Sequence, residues 1–542
     1  MLTPKLFRAC RHGLLIITGK PITQDGLFRY TNGRFLVNEK HETAKRYVEF
    51  DVDQLCKMVA SIPAVSSPVS KIDKVEGGFN KALILTMENG TRAVAKIPFP
   101  NAGPSKFCTA SEVAVLTFVK THTAIPVPGV LAWSSDANNP IGVEYIILEM
   151  VPGKQLSEAW GEMNELDQFE LIQSLSRLES QLTSIKFPAY GNLYFRQGKP
   201  EKAIDLDSYV DPEALYCIGP VYNDSWPGGS GEHLSWVDLS AGPWTGLSEL
   251  GIGLCQRGTW HTDQTRSDVA VGPHFGSSED HRQILEAARK VIRALESCSL
   301  LDRYCKPTLW HTDLHMGNIF VSEEDPRVIV GLIDWQFTSI LPLFVQARWP
   351  IFLNPPEGYQ TGPFVPDVPR NFHAMYPDEQ ELFVSMRDQA RKTKCYEAAL
   401  ARNHRQAFLA MTQPEPCLRD LFTRGETTHK DGIVPLRACL VGVADKWQSM
   451  GLPGTCPFEI SLEDRQRHED EVGRYRDWHK LRACTQELLG SDDEGWVSPQ
   501  LDFEAVQVTL RQLFDVYLEK YSAEMSDEAA RRLWFYIERE RE

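Results

Sequence analysis

Three oxygen-bearing side chains carry the densest chemistry in this chain: Asp313, Asn318 and Asp334. The first two lie in "LWHTDLHMGN", which reads H-x-D-x-x-x-x-N from His311. Phosphoryl transfer asks for a carboxylate to orient or deprotonate the attacking hydroxyl, and for an oxygen ligand to magnesium on the same loop. Asp313 and Asn318 have that spacing. After them, Ile319–Val321, a turn at 322–327 and the apolar run 328–333 read as a hairpin that returns Asp334 to the side of Asn318. Magnesium is usually held by one or two carboxylates together with substrate phosphates, and this pair would supply the protein's share.

The complementary parts occur upstream, in order. Glu76-Gly77-Gly78-Phe79-Asn80-Lys81 falls at a hairpin turn, where paired glycines let backbone N–H groups approach phosphate oxygens. Lys96, in "RAVAKIPF", sits on the next strand, within reach of α- and β-phosphates. Glu112 stands at a helix start, placed to pair with Lys96. "YIILEMVPG" then gives an extended segment whose backbone at Glu149 and Val151 suits an adenine edge. Taken singly, Lys96 reads as a solvated lysine and Glu112 as a helix-start acid favoured by the dipole. Their order and combination with the loop give them weight. His311 reads as a structural group of the loop, and His315 as a contact to substrate or phosphate or else a satisfied loop histidine. Trp310 and Trp335 read as core.

These groups need elements to position them. A helix is expected over 51–61, with Val52, Leu55, Cys56 and Val59 on one face. A linker follows at 63–69, then strands at 82–87 and 92–97 joined by Glu88-Asn89-Gly90, a hairpin-turn signal. A helix at 111–121 and strands at 129–133 and 143–150 complete a unit of about five strands and one helix, closed by Val151-Pro152-Gly153. Helical periodicity then dominates: Leu171, Leu175, Leu178 and Leu182, next 280–297, and finally Phe503–Tyr521. Residues 205–278 show little periodicity and read as a loop-rich insertion. The expected division is a basic leader or tail at 1–25, an extension at 26–65, a nucleotide-binding lobe at 66–152 and a helical lobe with the catalytic loop at 153–542.

"LWHTDLHMGNIFV…VIVGLIDWQF", with "EGGFNKALIL" and "VAKIPF" before it, resembles the aminoglycoside phosphotransferase/choline kinase branch of the protein-kinase-like fold. "FRYTNGRFLVNEKHETAKRYVEF" and "LPLFVQARWP" further resemble the fungal altered inheritance of mitochondria group. The resemblance spans roughly 27–360 and implies an α+β fold with a small β-rich lobe and a large helical lobe. It implies ATP and Mg2+ as cofactors and a small-molecule hydroxyl as acceptor. By it, Asp313 would be the catalytic base, Asn318 and Asp334 the magnesium ligands, Lys96 the phosphate clamp and Glu112 its partner. The glycine turn departs from G-x-G-x-x-G, Met316 stands where that branch often has proline, and 205–278 has no counterpart in the compact bacterial enzymes. These departures bear on substrate identity, since none removes a reacting group.

The net charge of −16 over 542 residues argues against a nucleic-acid-binding surface over most of the chain. No apolar run approaches the roughly 20 residues of a membrane-spanning helix. Twelve scattered cysteines without C-x-x-C read as reduced thiols, and no zinc site is expected. The start is basic and free of acids before Asp25, as in a mitochondrial transit peptide, with a cytoplasmic protein bearing a basic tail as the alternative. Acids at 463–471 and 491–494 read as solvated faces or, in a minority reading, as a site for a cationic acceptor. A catalytically silent kinase-fold scaffold is the competing function. A protein kinase is disfavoured, because D-F-G, A-P-E and an activation segment are missing. The tetrapeptide WHTD also occurs at 260–263, followed five residues after Asp263 by Asp268 in place of Asn, and there it reads as coincidence.

Overall fold

The computed structural model describes residues 14–17, 20–222, 241–264, 272–521 and 524–537. The chain opens with β1 (Leu14–Ile17), β2 (Lys20–Pro21), α1 (Gln24–Phe28), β3 (Arg34–Phe35), α2 (Glu39–Ala44) and α3 (Val52–Ser61). Asp51 starts α3 by accepting the Gln54 N–H at 2.9 Å, so one orphan donor of the first turn is satisfied. Next come β4 (Val69–Glu76), β5 (Asn80–Met87), β6 (Arg92–Pro98), α4 (Phe107–His122), β7 (Val130–Ser134) and β8 (Tyr145–Glu149). They form a sheet in the order β2-β1-β4-β5-β6-β8-β7, antiparallel except for the parallel β1–β4 pair. Strict alternation along β5 sends Leu83, Leu85 and Met87 into the core of this lobe, as the period of a half-buried strand requires. Two strands more than expected join the sheet, and both lie in the stretch read as a leader. Residues 1–13, the most basic part of that stretch, lie outside the described residues.

The connection to the second lobe is β9 (Lys154–Gln155), α5 (Leu156–Ala159) and α6 (Glu165–Ser184). A small sheet of β10 (Asn192–Phe195), β11 (Ile204–Asp205) and β12 (Tyr216–Gly219) packs on α4. After it come α7 (Leu247–Gln264), α8 (Ser278–Ala294) and α9 (Ser299–Asp302), then β13 (Pro307–Leu309), β14 (Ile319–Val321), β15 (Ile329–Leu332), β16 (Ile340–Pro342) and α10 (Leu343–Gln346). The remainder is α11 (Pro377–Asn403), α12 (Arg405–Thr412), α13 (Pro416–Asp431), α14 (Ile433–Lys446), α15 (Leu462–Leu489), β17 (Trp496–Val497), α16 (Phe503–Tyr521) and α17 (Asp527–Leu533). The architecture is α+β, with a β-rich small lobe and a mainly helical large one.

The loop-rich reading of 205–278 is corrected by α7, an 18-residue helix inside it. Its contact face is built partly from glycine, which carries no hydropathy signal. A Cβ at Gly258 would stand 2.0 Å from the Gly425 carbonyl oxygen, so glycine is what lets α7 approach α13. The first WHTD occupies the last turns of this helix. His261 is buried against the His429 ring at 4.3 Å, and Asp263 pairs with Arg282 at 3.0 Å. Its setting is therefore helical, and it lends no loop to chemistry. Asp268 lies outside the described residues.

The chain's end returns to the small lobe. β17 pairs antiparallel with β3, and the Trp496 indole donates to Asn32 O at 2.5 Å. Thr31 and Asn32 in turn donate to Glu76 at the end of β4, and buried Arg46 pairs with Glu494. Acids of 463–471 and 491–494 are drawn into ion pairs with arginines, Glu471 with Arg437 at 2.6 Å and Asp493 with Arg482 at 3.0 Å. No helix among the described residues is long and apolar enough to cross a membrane. All the described cysteines are free.

Candidate active site

The second WHTD sits between β13 and β14, where the backbone has left both strands. His311 is buried and holds the loop from inside. Its Nε2 donates to Ile333 O at 2.9 Å while its Nδ1 accepts the Asp313 N–H at 3.3 Å, which defines one neutral tautomer. Burial pushes its pKa down, in keeping with that neutral state. The expected structural role for His311 fits these bonds. Trp310 and Trp335 are both buried, again as expected.

Asp313 projects into solvent, whereas Asn318 is buried behind it. The Asn318 amide donates to Asp313 O at 2.9 Å and to its carboxylate at 3.3 Å, which fixes the two residues as a unit. The same asparagine accepts the Ile333 N–H at 3.0 Å through its backbone carbonyl. β14 and β15 pair with Ile319 opposite Leu332, so the hairpin expected from the sequence brings Asp334 back to Asn318. Asp334 adopts φ of +61°, a left-handed conformation uncommon outside glycine and a mark of a backbone held by its surroundings.

Lys96 reaches this point from β6, across the gap between the lobes. Its ammonium lies 2.6 Å from Glu112 and 2.7 Å from Asp334. Burial disfavours the charged lysine, but the Asp334 and Glu112 carboxylates outweigh it and hold the group protonated. Burial likewise raises Asp334, and Lys96 overcomes that and keeps this carboxyl below its ordinary value. Glu112 is fully enclosed, and there burial wins over Lys96 and the carboxyl is raised.

The glycine turn closes over the same place. Gly77 N–H donates to Asn80 O at 2.9 Å, and the Asn80 amide donates to the Gln336 side chain at 3.0 Å. Phe79 meets Phe337 edge-on at 5.3 Å between ring centres. A Cβ at Gly78 would meet nothing within 4 Å, so no protein contact demands glycine there. Glu149 and Val151 are placed differently. The Glu149 N–H is already donated to Gly129 O at 2.9 Å, and its side chain is taken by Lys120 at 2.7 Å. Its amide is therefore no free donor for an adenine edge. The segment after Val151 is pinned at Gly153, whose φ is +87° and whose added Cβ would fall 2.1 Å from Val321 O. β9 then pairs with β14, tying the lobe connection to the β14–β15 hairpin.

Sequence reasoning missed Gln336, Phe337 and Gln155, which donates to Gly317 O at 2.9 Å. For Gln336 and Phe337 the signal was adjacency to Ile333-Asp334-Trp335. Gln155 gave none. Among the described residues no cluster of three His, Cys, Asp or Glu side chains could hold a metal by itself. The oxygens of Asn318 and Asp334 suit magnesium only if a nucleotide completes the shell, as hard-cation chemistry ordinarily arranges.

Residues 252–345, from within α7 to α10, match the phosphotransferase enzyme family, a stretch that contains Asp313, Asn318 and Asp334. A subtelomeric hrmA-associated cluster protein of Aspergillus fumigatus is 28% identical over 503 residues, covering 86% of this chain and 96% of its own. Altered inheritance of mitochondria protein 9, mitochondrial, of Zygosaccharomyces rouxii is 23% identical, covering 89% of this chain and 88% of its own. Among solved structures, an ADP-bound aminoglycoside phosphotransferase is 11% identical with a TM-score of 0.34, covering 71% of this chain and 99% of its own. The resemblance to phosphotransferases is met by the family match, and that to the altered inheritance of mitochondria group by a relative of that name.

Proposed function

We propose that this chain, whose residues 252–345 match the phosphotransferase enzyme family, transfers the γ-phosphoryl group of ATP to a hydroxyl of a small molecule. The observation that carries the reading is the bridge made by Lys96, bonded at once to Glu112 and to Asp334 beside the Asp313–Asn318 unit. A lysine held buried between two carboxylates is an expensive arrangement to keep in a scaffold with no use for it. Residues 66–152 serve as the nucleotide lobe and 153–542 as the acceptor and catalytic lobe.

In this reading the turn at Gly77, Gly78 and Asn80 lies over the phosphates, and Lys96 orients the α- and β-phosphates. The carbonyl of Glu149 and the backbone of Val151 face the adenine. Asn318 and Asp334 would hold Mg2+, which when bound would supply charge neutralisation for the phosphate oxygens. Asp313 accepts the proton of the acceptor hydroxyl as that oxygen bonds to the γ-phosphorus and the bond from phosphorus to the β-phosphate bridging oxygen breaks, releasing ADP. Asn318 keeps the Asp313 carboxylate aimed, through the bond at 3.3 Å. The mitochondrial names of relatives and the basic first residues support a mitochondrial location.

Calorimetry with ATP, with and without magnesium, tests the first half: binding that is absent or indifferent to magnesium sinks the reading. Asp313→Ala tests the second. It should retain nucleotide binding and lose product formation by about 100-fold or more, as expected when a positioned base is removed.

A further inference from the structure

We infer that the acceptor is a hydroxylated anion, a hydroxycarboxylate or a phosphorylated polyol, and that Arg348 binds its negative group beside Asp313. The inference rests on the phosphotransferase reading and adds the chemical class of the second substrate. Arg348 follows α10, and the Ile351 N–H donates to Leu314 O at 3.0 Å, which lays this stretch along the catalytic loop one residue beyond Asp313. Its side chain is exposed, and among the described residues it has neither ion pair nor hydrogen bond. Yet burial by the surrounding protein depresses the guanidinium, and the one charge that offsets this is the Asp313 carboxylate. An exposed guanidinium without a protein acceptor, on a stretch bonded to the residue after Asp313, is available to a ligand there.

The neighbours sharpen the point. Arg419, close enough to repel Arg348, spends its donors on backbone carbonyls, with Nε on Phe344 O at 2.7 Å and a terminal nitrogen on Met411 O at 3.0 Å. Asp420 offsets part of its charge, though no carboxylate among the described residues is bonded to it. Trp349, next in the chain, has a buried indole N–H with no protein acceptor. A planar fork of five donors with no protein acceptor suits carboxylate or phosphate oxygens, which it can bind in a bidentate manner. A cationic acceptor would instead meet like charge at Arg348. The acids at 463–471 and 491–494, the alternative anchor for such a cation, include members already spent on arginines.

The test uses the full chain with magnesium and γ-labelled ATP against four groups of probes. Malate and gluconate carry carboxylates, glycerophosphate and a hexose phosphate carry phosphates, glycerol and glucose are neutral, and choline and ethanolamine are cationic. Label should pass to the anionic probes, and the first two groups separate carboxylate from phosphate. Arg348→Gln should raise KM for the labelled acceptor by about tenfold or more, equivalent to about 1.4 kcal/mol, with kcat changed less than KM. Arg348→Lys should recover part of the loss. Equal labelling of neutral or cationic probes overturns the inference and leaves the phosphotransferase reading standing. So does a uniform loss of kcat in Arg348→Gln with KM unmoved, which would make Arg348 a positioning residue for Asp313. Magnesium-dependent ATP binding with no probe labelled counts against the anionic acceptor alone, and absence of that binding removes both readings.

Discussion

Replacing Lys96 with methionine removes the ammonium and keeps most of the stem, so the two carboxylates around it lose their shared counter-charge. Their surroundings differ. The Asp334 side chain is 36% exposed and can recruit water, whereas that of Glu112 is 4% exposed and cannot. The cost therefore falls on Glu112, and breaking a buried pair by deleting one partner costs about 3–5 kcal/mol. Protonation of Glu112 limits the damage. Its folded pKa is already raised by burial, and without Lys96 it rises further. For an acid whose folded pKa exceeds its unfolded one, the native state binds the extra proton between the two values. Stability then falls as pH rises through that window, by at most about 1.4 kcal/mol per pH unit. Lys96→Met should accordingly melt well below the wild type at pH 7.5, by about 6–12 °C for 3 kcal/mol in a cooperative unit of 150–250 residues. The gap should narrow at pH 5.5. Adding Glu112→Gln should abolish that pH dependence, because no titrating group is left in the enclosed position. Thermal melts of the three proteins at the two pH values decide it. A Lys96→Met protein that melts with the wild type, or a gap that ignores pH, would refute a buried charge bridge and return Lys96 to the status of a solvated lysine.

Asp334 tests the same site through its backbone. Asp334→Gly and Asp334→Ala both remove the carboxylate and should both lose magnesium-dependent ATP binding by calorimetry, but glycine accepts φ of +61° and alanine does not, so the glycine variant should be the more stable by about 1 kcal/mol in denaturant melts. Glu179 tests the helical lobe. Its carboxyl is enclosed between α6 and α11, accepts the Tyr396 hydroxyl at 2.8 Å, and is pushed by burial up to about 8. The native state thus holds this proton over a window where the unfolded chain has released it, and wild-type stability should decline from pH 5 to pH 8, with Glu179→Gln flatter across that range and the more stable of the two at pH 8, as followed by thermal melts.

The parts of this protein that were legible in its sequence are those in which a local pattern and a local structure coincide. The pairing of Ile319 with Leu332 follows from two short apolar runs and a turn, and it carries Asp334 to Asn318 with no help from elsewhere. The helix at Phe503–Tyr521 and the strands around Glu88-Asn89-Gly90 were readable for the same reason. What escaped was structure specified at a distance or by small residues. α7 builds its contact face partly from glycines, so hydropathy has no period to report. The strand β3 is two residues long and exists because β17 pairs with it from the other end of the chain. The bond from the Glu149 amide to Gly129 was not legible, because nothing local announces Gly129 as its partner. Arg348 lacks a motif altogether, and nothing local announces that the turn after α10 bonds Ile351 to Leu314.

The bond from Trp496 to Asn32 joins residues 464 apart in sequence. During synthesis at about 5–20 residues per second, some 20–90 s separate the emergence of one partner from that of the other. Throughout that interval the segment carrying Thr31, Asn32 and β3 must wait beside the base of the β4–β5 hairpin without the strand that completes it. Closing so long a loop is also entropically slow, since the ends must meet before the contact rewards them. The small lobe is made first and finished last. A ribosome-bound chain arrested before Trp496 should therefore leave Asn32 and its neighbours open to protease while the sheet behind them is already protected.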